Sequence, residues 1–337
     1  MAAIVARSVG PAPRPNAILR AVSSQTTASP AIVVAGDALV DLICRADSSI
    51  TGVPGGGPYN SARAIGRLGV PVSWIGGLSD DRFGRELEAG LTGDAVDLSL
   101  AQRTSRPTTL ALAEIGADGA AAYHFYTAET SAPAVLPGPL AGGLPASARA
   151  LLTGTLGFVL EPMATTFEAL ALGLPDHVLL MLDPNARPSI IPDADAWRAR
   201  MARIFARADV VKASAEDLEY LRPGADLEDT MRWIAAHGPR VVMMTDGSRP
   251  VRVLAGRGIH PVVAPKVTVA DTVGAGDTFG GAFLACFVQG GGTRADAADT
   301  ERVLQAARFA VRASAIVCER AGANPPTLAE LGGWPEA

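Results

Sequence analysis

Asp271-Thr272-Val273-Gly274-Ala275-Gly276-Asp277-Thr278-Phe279-Gly280-Gly281-Ala282-Phe283 is the stretch that decides the fold of this chain. Val267 to Val269 before it have the composition of a strand end. Ala282 to Phe287 after it have that of the start of a buried helix. Small residues at such a junction let backbone N–H groups approach an anion, and the helix N-terminus adds roughly half a positive charge. Asp277 falls in the first helical turn, facing whatever the amides hold. Like charges repel, so a carboxylate beside phosphate needs a reason. One is that it accepts a proton from an attacking hydroxyl while the amides hold the transferred phosphoryl group. The plainer alternative is a capped helix start after a tight turn.

A second glycine cluster lies upstream, Pro54-Gly55-Gly56-Gly57-Pro58-Tyr59-Asn60, and runs into Ser61-Ala62-Arg63-Ala64-Ile65-Gly66-Arg67-Leu68-Gly69. The glycines allow close backbone approach to a ligand. Asn60 is expected to open a helix whose apolar positions Ala64, Ile65 and Leu68 recur at helical spacing. It can cap that helix, or offer a donor and an acceptor to a polyol.

Between and around these clusters the chain alternates. Ala31–Ala35, Val72–Ile75, Ala150–Leu152, Val178–Leu182, Val210–Val211 and Val241–Met244 are apolar runs of strand length. Helical stretches such as Met163–Leu172, Ala196–Ala206 and Leu227–His237 separate several of them. Such alternation predicts an α/β fold: a doubly wound, mostly parallel sheet with helices on both faces, binding ligands at the carboxyl ends of its strands. One segment departs from it. Thr108–Ile115 and Ala121–Tyr126, joined by Gly116-Ala117-Asp118-Gly119, read as a hairpin. With residues near 42–50 it predicts a small separate sheet, a lid built from about 42–50 and 104–128. Tyr123 and Phe125 share one face of their strand, and pack either on a ligand or on the lid itself.

Composition sets limits. The 337 residues carry 29 basic and 34 acidic side chains, for a formal charge of −5, without a basic stripe, which argues against nucleic acid. Apolar runs are all shorter than the ~18 residues of a membrane helix. Cys44, Cys286 and Cys318 are far apart and odd in number, which argues against a disulfide framework and for a reducing cytoplasm. His124, His177, His237 and His260 are isolated, without zinc spacing. Residues 1–30, rich in Ala, Pro, Ser and Thr with Arg7, Arg14 and Arg20 and no acid, are expected to be a disordered extension, a transit peptide being the alternative.

The two glycine clusters together resemble the two signatures of the ribokinase-like (PfkB-type) carbohydrate kinases, with motifs closest to fructokinases. The resemblance covers residues 31–330 as one kinase domain. It implies an ATP-dependent transfer of the γ-phosphoryl group to a primary hydroxyl of a sugar, with Mg²⁺ and possible use of K⁺. By resemblance Asp277 is the catalytic base, and Gly274, Ala275 and Gly276 form the anion hole. Asp41, five residues after the strand-end Gly36, takes the family's sugar-binding position, with Gly55, Gly56 and Asn60 beside it. Asp37 is expected to be a turn or solvent residue.

Asp183-Pro184-Asn185-Ala186-Arg187 resembles a segment of fructokinases and 2-keto-3-deoxygluconate kinases, and Arg187 is a candidate for neutralising phosphate. Val211-Lys212-Ala213-Ser214-Ala215-Glu216-Asp217 aligns with the family's Asn-x-x-Glu motif. Ser214 stands for the Asn and Asp217 for the Glu, so Asp217 would reach Mg²⁺ only through water. Thr245 and Gly247 resemble the nucleotide-phosphate turn, although Pro250 replaces a second glycine. Ala306, Phe309 and Ala310 are candidates for an apolar adenine pocket. Asp271 corresponds to a monovalent-cation site. In this family the lid is often a dimer contact, so a homodimer through it is implied. Fructose is the first expectation for substrate. A 2-keto-3-deoxy acid sugar, with Arg103 or Arg106 supplying a cation, is the second, and a nucleoside the third. A sugar- or nucleotide-binding regulator without turnover is the alternative of another class, supported only by the departures at Ser214 and Asp217.

Overall fold

The computed structural model of the chain describes residues 31–45, 47–115 and 121–336. The expected N-terminal extension and the Gly116–Gly119 turn lie outside the described residues. In chain order the elements begin with β1 (Ile32–Ala35), β2 (Leu39–Cys44), β3 (Ile50–Gly55), α1 (Gly57–Arg67), β4 (Val72–Ile75), β5 (Gly77–Ser79) and α2 (Arg82–Gly93). Then come β6 (Val96–Asp97), β7 (Gln102–Thr104), β8 (Leu110–Ile115), β9 (Ala121–Tyr126), β10 (Ala150–Gly154), α3 (Met163–Leu172), β11 (Leu179–Asp183) and α4 (Ala194–Phe205). The remainder is β12 (Val210–Ser214), α5 (Ala215–Leu221), α6 (Leu227–Ala236), β13 (Val241–Thr245), β14 (Val251–Ala255), β15 (Gly258–Val262), α7 (Ala275–Gln289) and α8 (Thr300–Cys318).

Among the described residues, nine strands form the main sheet in the order β15-β14-β13-β12-β11-β10-β1-β4-β6. It is parallel from β13 to β6, and β14 and β15 add an antiparallel hairpin at one edge. The chain leaves β1 first toward β4 and β6, then returns to lay β10 on the other side. That reversal is the switch point where open α/β sheets carry their crevice. Side chains of β1 divide by their period of two. Ile32 and Val34 join the core under α1, α7 and α8, and Val33 and Ala35 join the core under α3, α4 and α6. Both faces are therefore covered, which is why the strand is apolar throughout.

The small sheet has the order β3-β2-β8-β9. Its second strand starts at Leu39, directly after β1, and β3 ends at Gly55 in the glycine cluster. The expected boundaries therefore move. Residues 39–44 and 50–55 make the first half, and Thr104 belongs to β7, which pairs with β5 instead. Asp41 lies on the small sheet, opposite Val53 and Ala111.

Two expectations around the first motif need correction. Val267–Val269 form no strand; β15 ends the sheet at Val262, and the segment beyond it has no neighbouring strand to pair with. The helix starts at Ala275, well before the apolar run. Asn60 does not open α1 either. Gly56 is the N-cap, at φ 108, and Asn60 stands inside the first turn. The packing of α1 on α7 sets the position of the site. A Cβ on Gly281 would lie 2.7 Å from the carbonyl oxygen of Ser61, so glycine there lets the two helices nearly touch.

Candidate active site

Gly274 is the N-cap of α7 in the left-handed region, φ 76, where glycine pays no Cβ penalty. It is also crowded: a Cβ there would lie 2.6 Å from that of Ala323. Ala275 donates its N–H to the Thr272 carbonyl at 3.2 Å and closes the turn. The amides of Gly276 and Asp277 follow, where an α-helix supplies no acceptor. This is a ready anion cradle at the positive end of a 15-residue helix.

Asp277 stands over that cradle, half-buried. Its Oδ2 accepts a 2.9 Å hydrogen bond from Asn60 Nδ2, and its carbonyl accepts one of 3.0 Å from Ser61 Oγ. Residues 217 apart in sequence are thereby joined through the α1–α7 contact. The other oxygen, Oδ1, looks onto the bare Cα of Gly57. A Cβ on Gly57 would lie 3.1 Å from it, 2.9 Å from Thr155 Oγ1 and 3.0 Å from Asn185 Nδ2. Thr155 and Asn185 both hold positive φ, 54 and 36, a strain that non-glycine residues rarely accept and that gathers at working sites. Burial pushes the Asp277 carboxyl above its ordinary range, while Lys212, the Asn60 hydrogen bond and Arg187 pull it back.

Two further acids share this floor. A Cβ on Gly55 would lie 2.2 Å from Asp41 Oδ2, so only glycine leaves that carboxylate room. Burial and the nearby Asp277 raise Asp41 to about 6, against the pull of Arg187. Asp37 is not the solvent residue expected. It is fully buried beneath Gly56, whose Cβ would lie 2.5 Å from its carbonyl oxygen, and neither carboxyl oxygen has a well-aligned partner. Burial raises it to about 7, although backbone N–H groups and Arg187 oppose the shift. Behind α7 a buried ion pair joins Lys212 Nζ to Asp183 Oδ2 at 2.8 Å.

Residues 29–330 match the family model of the pfkB family carbohydrate kinases. The chain belongs to that family. It is 33% identical over 258 residues to a fructokinase of Rhizobium leguminosarum bv. trifolii, covering 75% of this chain and 78% of the relative. Fructokinase-1 of Zea mays is 31% identical over 284 residues, covering 82% and 87%. The crystal structure of a Xylella fastidiosa fructokinase with bound ATP superposes with a TM-score of 0.81 at 26% identity, over 89% of this chain and 96% of that one. As a pfkB family carbohydrate kinase the protein is a phosphotransferase acting on a sugar hydroxyl.

The other expected residues fall into three groups in this kinase. Ser214 and Thr245 are register neighbours at the carboxyl ends of β12 and β13, and Gly247 follows with φ 53 and open space at its Cα. Arg187 is exposed, donates only to the carbonyls of Ala186 and Asn185, and among the described residues makes no ion pair. Its charge nonetheless reaches Asp37, Asp41 and Asp277.

A second group is occupied elsewhere. Asp217 Oδ1 accepts the Ala186 N–H, and its Oδ2 accepts both the N–H and the hydroxyl of Ser214 in a capping box at the start of α5. Asp271 accepts the N–H groups of Val273 and Gly322. Ala306, Phe309 and Ala310 are core residues of α8, so they are not open to a base. The third group is the small sheet. Phe125 packs partly buried against the core that holds Leu39 and Ala111. The Tyr123 side chain lies outside the described residues. Lys212, Asn185 and Thr155 had no assigned role in the sequence; the positive φ of the latter two has no sequence signal in residues that are not glycine.

Proposed function

We propose that this carbohydrate kinase transfers the γ-phosphoryl group of ATP to a primary hydroxyl of fructose, giving fructose 6-phosphate. The observation that carries the reading is the meeting of Asp277, Asn60 and the amide cradle of α7 around the Cα of Gly57. Asn60 holds Oδ2, which leaves Oδ1 to take the hydroxyl proton as that oxygen attacks phosphorus and ADP leaves. The cradle of Gly274, Ala275 and Gly276 holds the charge that grows on the transferred group. Asp41, Gly55, Gly56 and Asn60 bind the sugar, and the small sheet whose last strand carries Tyr123 and Phe125 is its lid. Thr245, Gly247 and Ser214 line the nucleotide side, and Arg187 faces the phosphates.

Mg²⁺ would come with the nucleotide. Among the described residues no three His, Cys, Asp or Glu side chains gather as metal ligands, and Asp217 is committed to its capping box. Phosphate oxygens and water are the usual ligands in that case. A K⁺ ion at Asp271 would rest on backbone carbonyls, since both carboxylate oxygens already accept amides.

Fructose is favoured over an acid sugar by charge. Arg103 is engaged by both oxygens of Glu88, and Arg106 by Glu129, so neither expected cation is free for a substrate carboxylate. The name fructokinase among the relatives supports the same choice over a nucleoside. An intact Asp277 weighs against a regulator without turnover, which has no need of a base. A panel of fructose, other hexoses, 2-keto-3-deoxygluconate and nucleosides, each with ATP and Mg²⁺ and read by coupled ADP release, tests the proposal. Fructose should give the highest kcat/KM. Preference for a nucleoside or the acid sugar would overturn the substrate, and no turnover with any acceptor would overturn the activity.

A further inference from the structure

One buried charge has no task in the chemistry above. Lys212 is 4% exposed in the middle of β12, and its ammonium pairs with Asp183. A buried ion pair is a weak source of stability, because desolvation consumes most of the attraction. This one is also badly placed for stability. A Cβ on Gly276 would lie 3.0 Å from Lys212 Nζ, so the ammonium sits against the bare Cα of the glycine that precedes Asp277. That is the positive end of α7, where a cation is unfavourable unless negative charge stands nearby. Asp183 supplies only part of it, and its Oδ1 has no hydrogen-bond partner. The charges of Asp277 and Asp217 reach the ammonium as well, that of Asp277 the more strongly. A side chain at position 276 would push the ammonium from this seat.

We propose that Lys212 is a positioning residue for Asp277: seated against Gly276, its ammonium keeps the Asp277 carboxylate ionised and ready to take the hydroxyl proton. This rests on Asp277 being the base. The charged groups around Asp277 are Lys212 from β12, Arg187 from the turn after β11, Asp183 at the end of β11, and Asp37 and Asp41 after β1. Three of these five are acids that oppose ionisation. Lys212 is the strongest influence opposing burial, and Asp277 in turn raises Lys212.

The two members of the ion pair should then move the pH dependence of turnover in opposite directions. The full chain is assayed for kcat/KM of its best sugar against pH at saturating ATP and Mg²⁺. Lys212→Met should move the acid limb up by about one pH unit, a tenfold loss well below the limb. Asp183→Asn should move it down, since it removes the ammonium's paired carboxylate and a negative charge that opposes ionisation of Asp277. Lys212→Met combined with Asp183→Asn removes both members of the ion pair and leaves no orphaned Asp183, so it keeps the fold where the single variant loses it; its limb should also move up. Limbs that stay at the wild-type pH, or that move the same way in both single variants, would overturn the proposal. If Asp277→Asn still abolishes turnover in that case, the base assignment stands without Lys212. Normal turnover by Asp277→Asn would overturn both.

Discussion

Asp37, Asp41 and Asp277 share one floor, and burial holds all three above their ordinary range. For Asp37 the consequence is thermodynamic. Its carboxyl titrates near 7 in the folded chain against 3.8 for the ordinary value. The folded state therefore keeps a proton that the unfolded chain releases across that window. The contribution of Asp37 is full below pH ~4 and is lost as pH rises toward 7, by on the order of a few kcal/mol. Asp37→Asn should raise the Tm at pH 8 and leave a much smaller difference at pH 4.5; equal differences at both would show that the group does not titrate there.

Gly57 gives a second prediction at this scale. Gly57 has ordinary backbone angles and its new neighbours are side-chain ends, so Gly57→Ala should fold at a modest cost. The added methyl would stand within about 3 Å of Asp277, Thr155 and Asn185, where the proposed mechanism puts the reacting hydroxyl. Turnover should fall at least tenfold while the chain stays folded, with a Tm only modestly lowered as Thr155 gives way. A fully active variant would place the hydroxyl elsewhere. The Asp277 motif and the glycine cluster were legible in the sequence because each is a local pattern. Lys212 was not, because one lysine inside Val210-Val211-Lys212-Ala213 carries no sign of what the neighbouring strand and helix bring to it. Asp37 was misread for a related reason: a strand-end acid ordinarily meets water, and here Gly56 and Leu156 cover it.

Elements of the parallel sheet were readable from their apolar runs, and α3 falls on its expected bounds. What escaped was short or at an edge. β5, β6 and β7 have two or three residues each, too few for a period to show. β14 alternates buried and half-buried residues, but the β14–β15 hairpin lies outside the strand–helix alternation that organised the rest. The small sheet carries its own prediction. It meets the main sheet through the short link from β1 to β2 and through Gly55–Gly57, and its edge strands expose Ile50 and Tyr126. If it closes over the sugar, amide hydrogen exchange in β8 and β9 should slow when saturating sugar is added. Identical exchange with and without sugar would exclude a lid. Its exposed edges also suit pairing with a second copy, which light scattering would detect as a dimer at micromolar concentration.

At the scale of the molecule, the switch in strand order around β1 does most to create the site. It brings the residues after β1, β10, β11 and β12 to one crevice, and the close α1–α7 contact delivers Asn60 to Asp277. Among the described residues no helix is long and apolar enough to cross a membrane. The described residues build a layered α/β kinase fold whose two signature segments meet only in three dimensions. The most direct measurement of that meeting is turnover by Asp277→Asn, which keeps the shape and the contact with Asn60 but removes the base. kcat should fall by about 10²–10⁴-fold, with sugar affinity by calorimetry within a few-fold of wild type. Near wild-type turnover by a folded Asp277→Asn chain would contradict the assignment of the base.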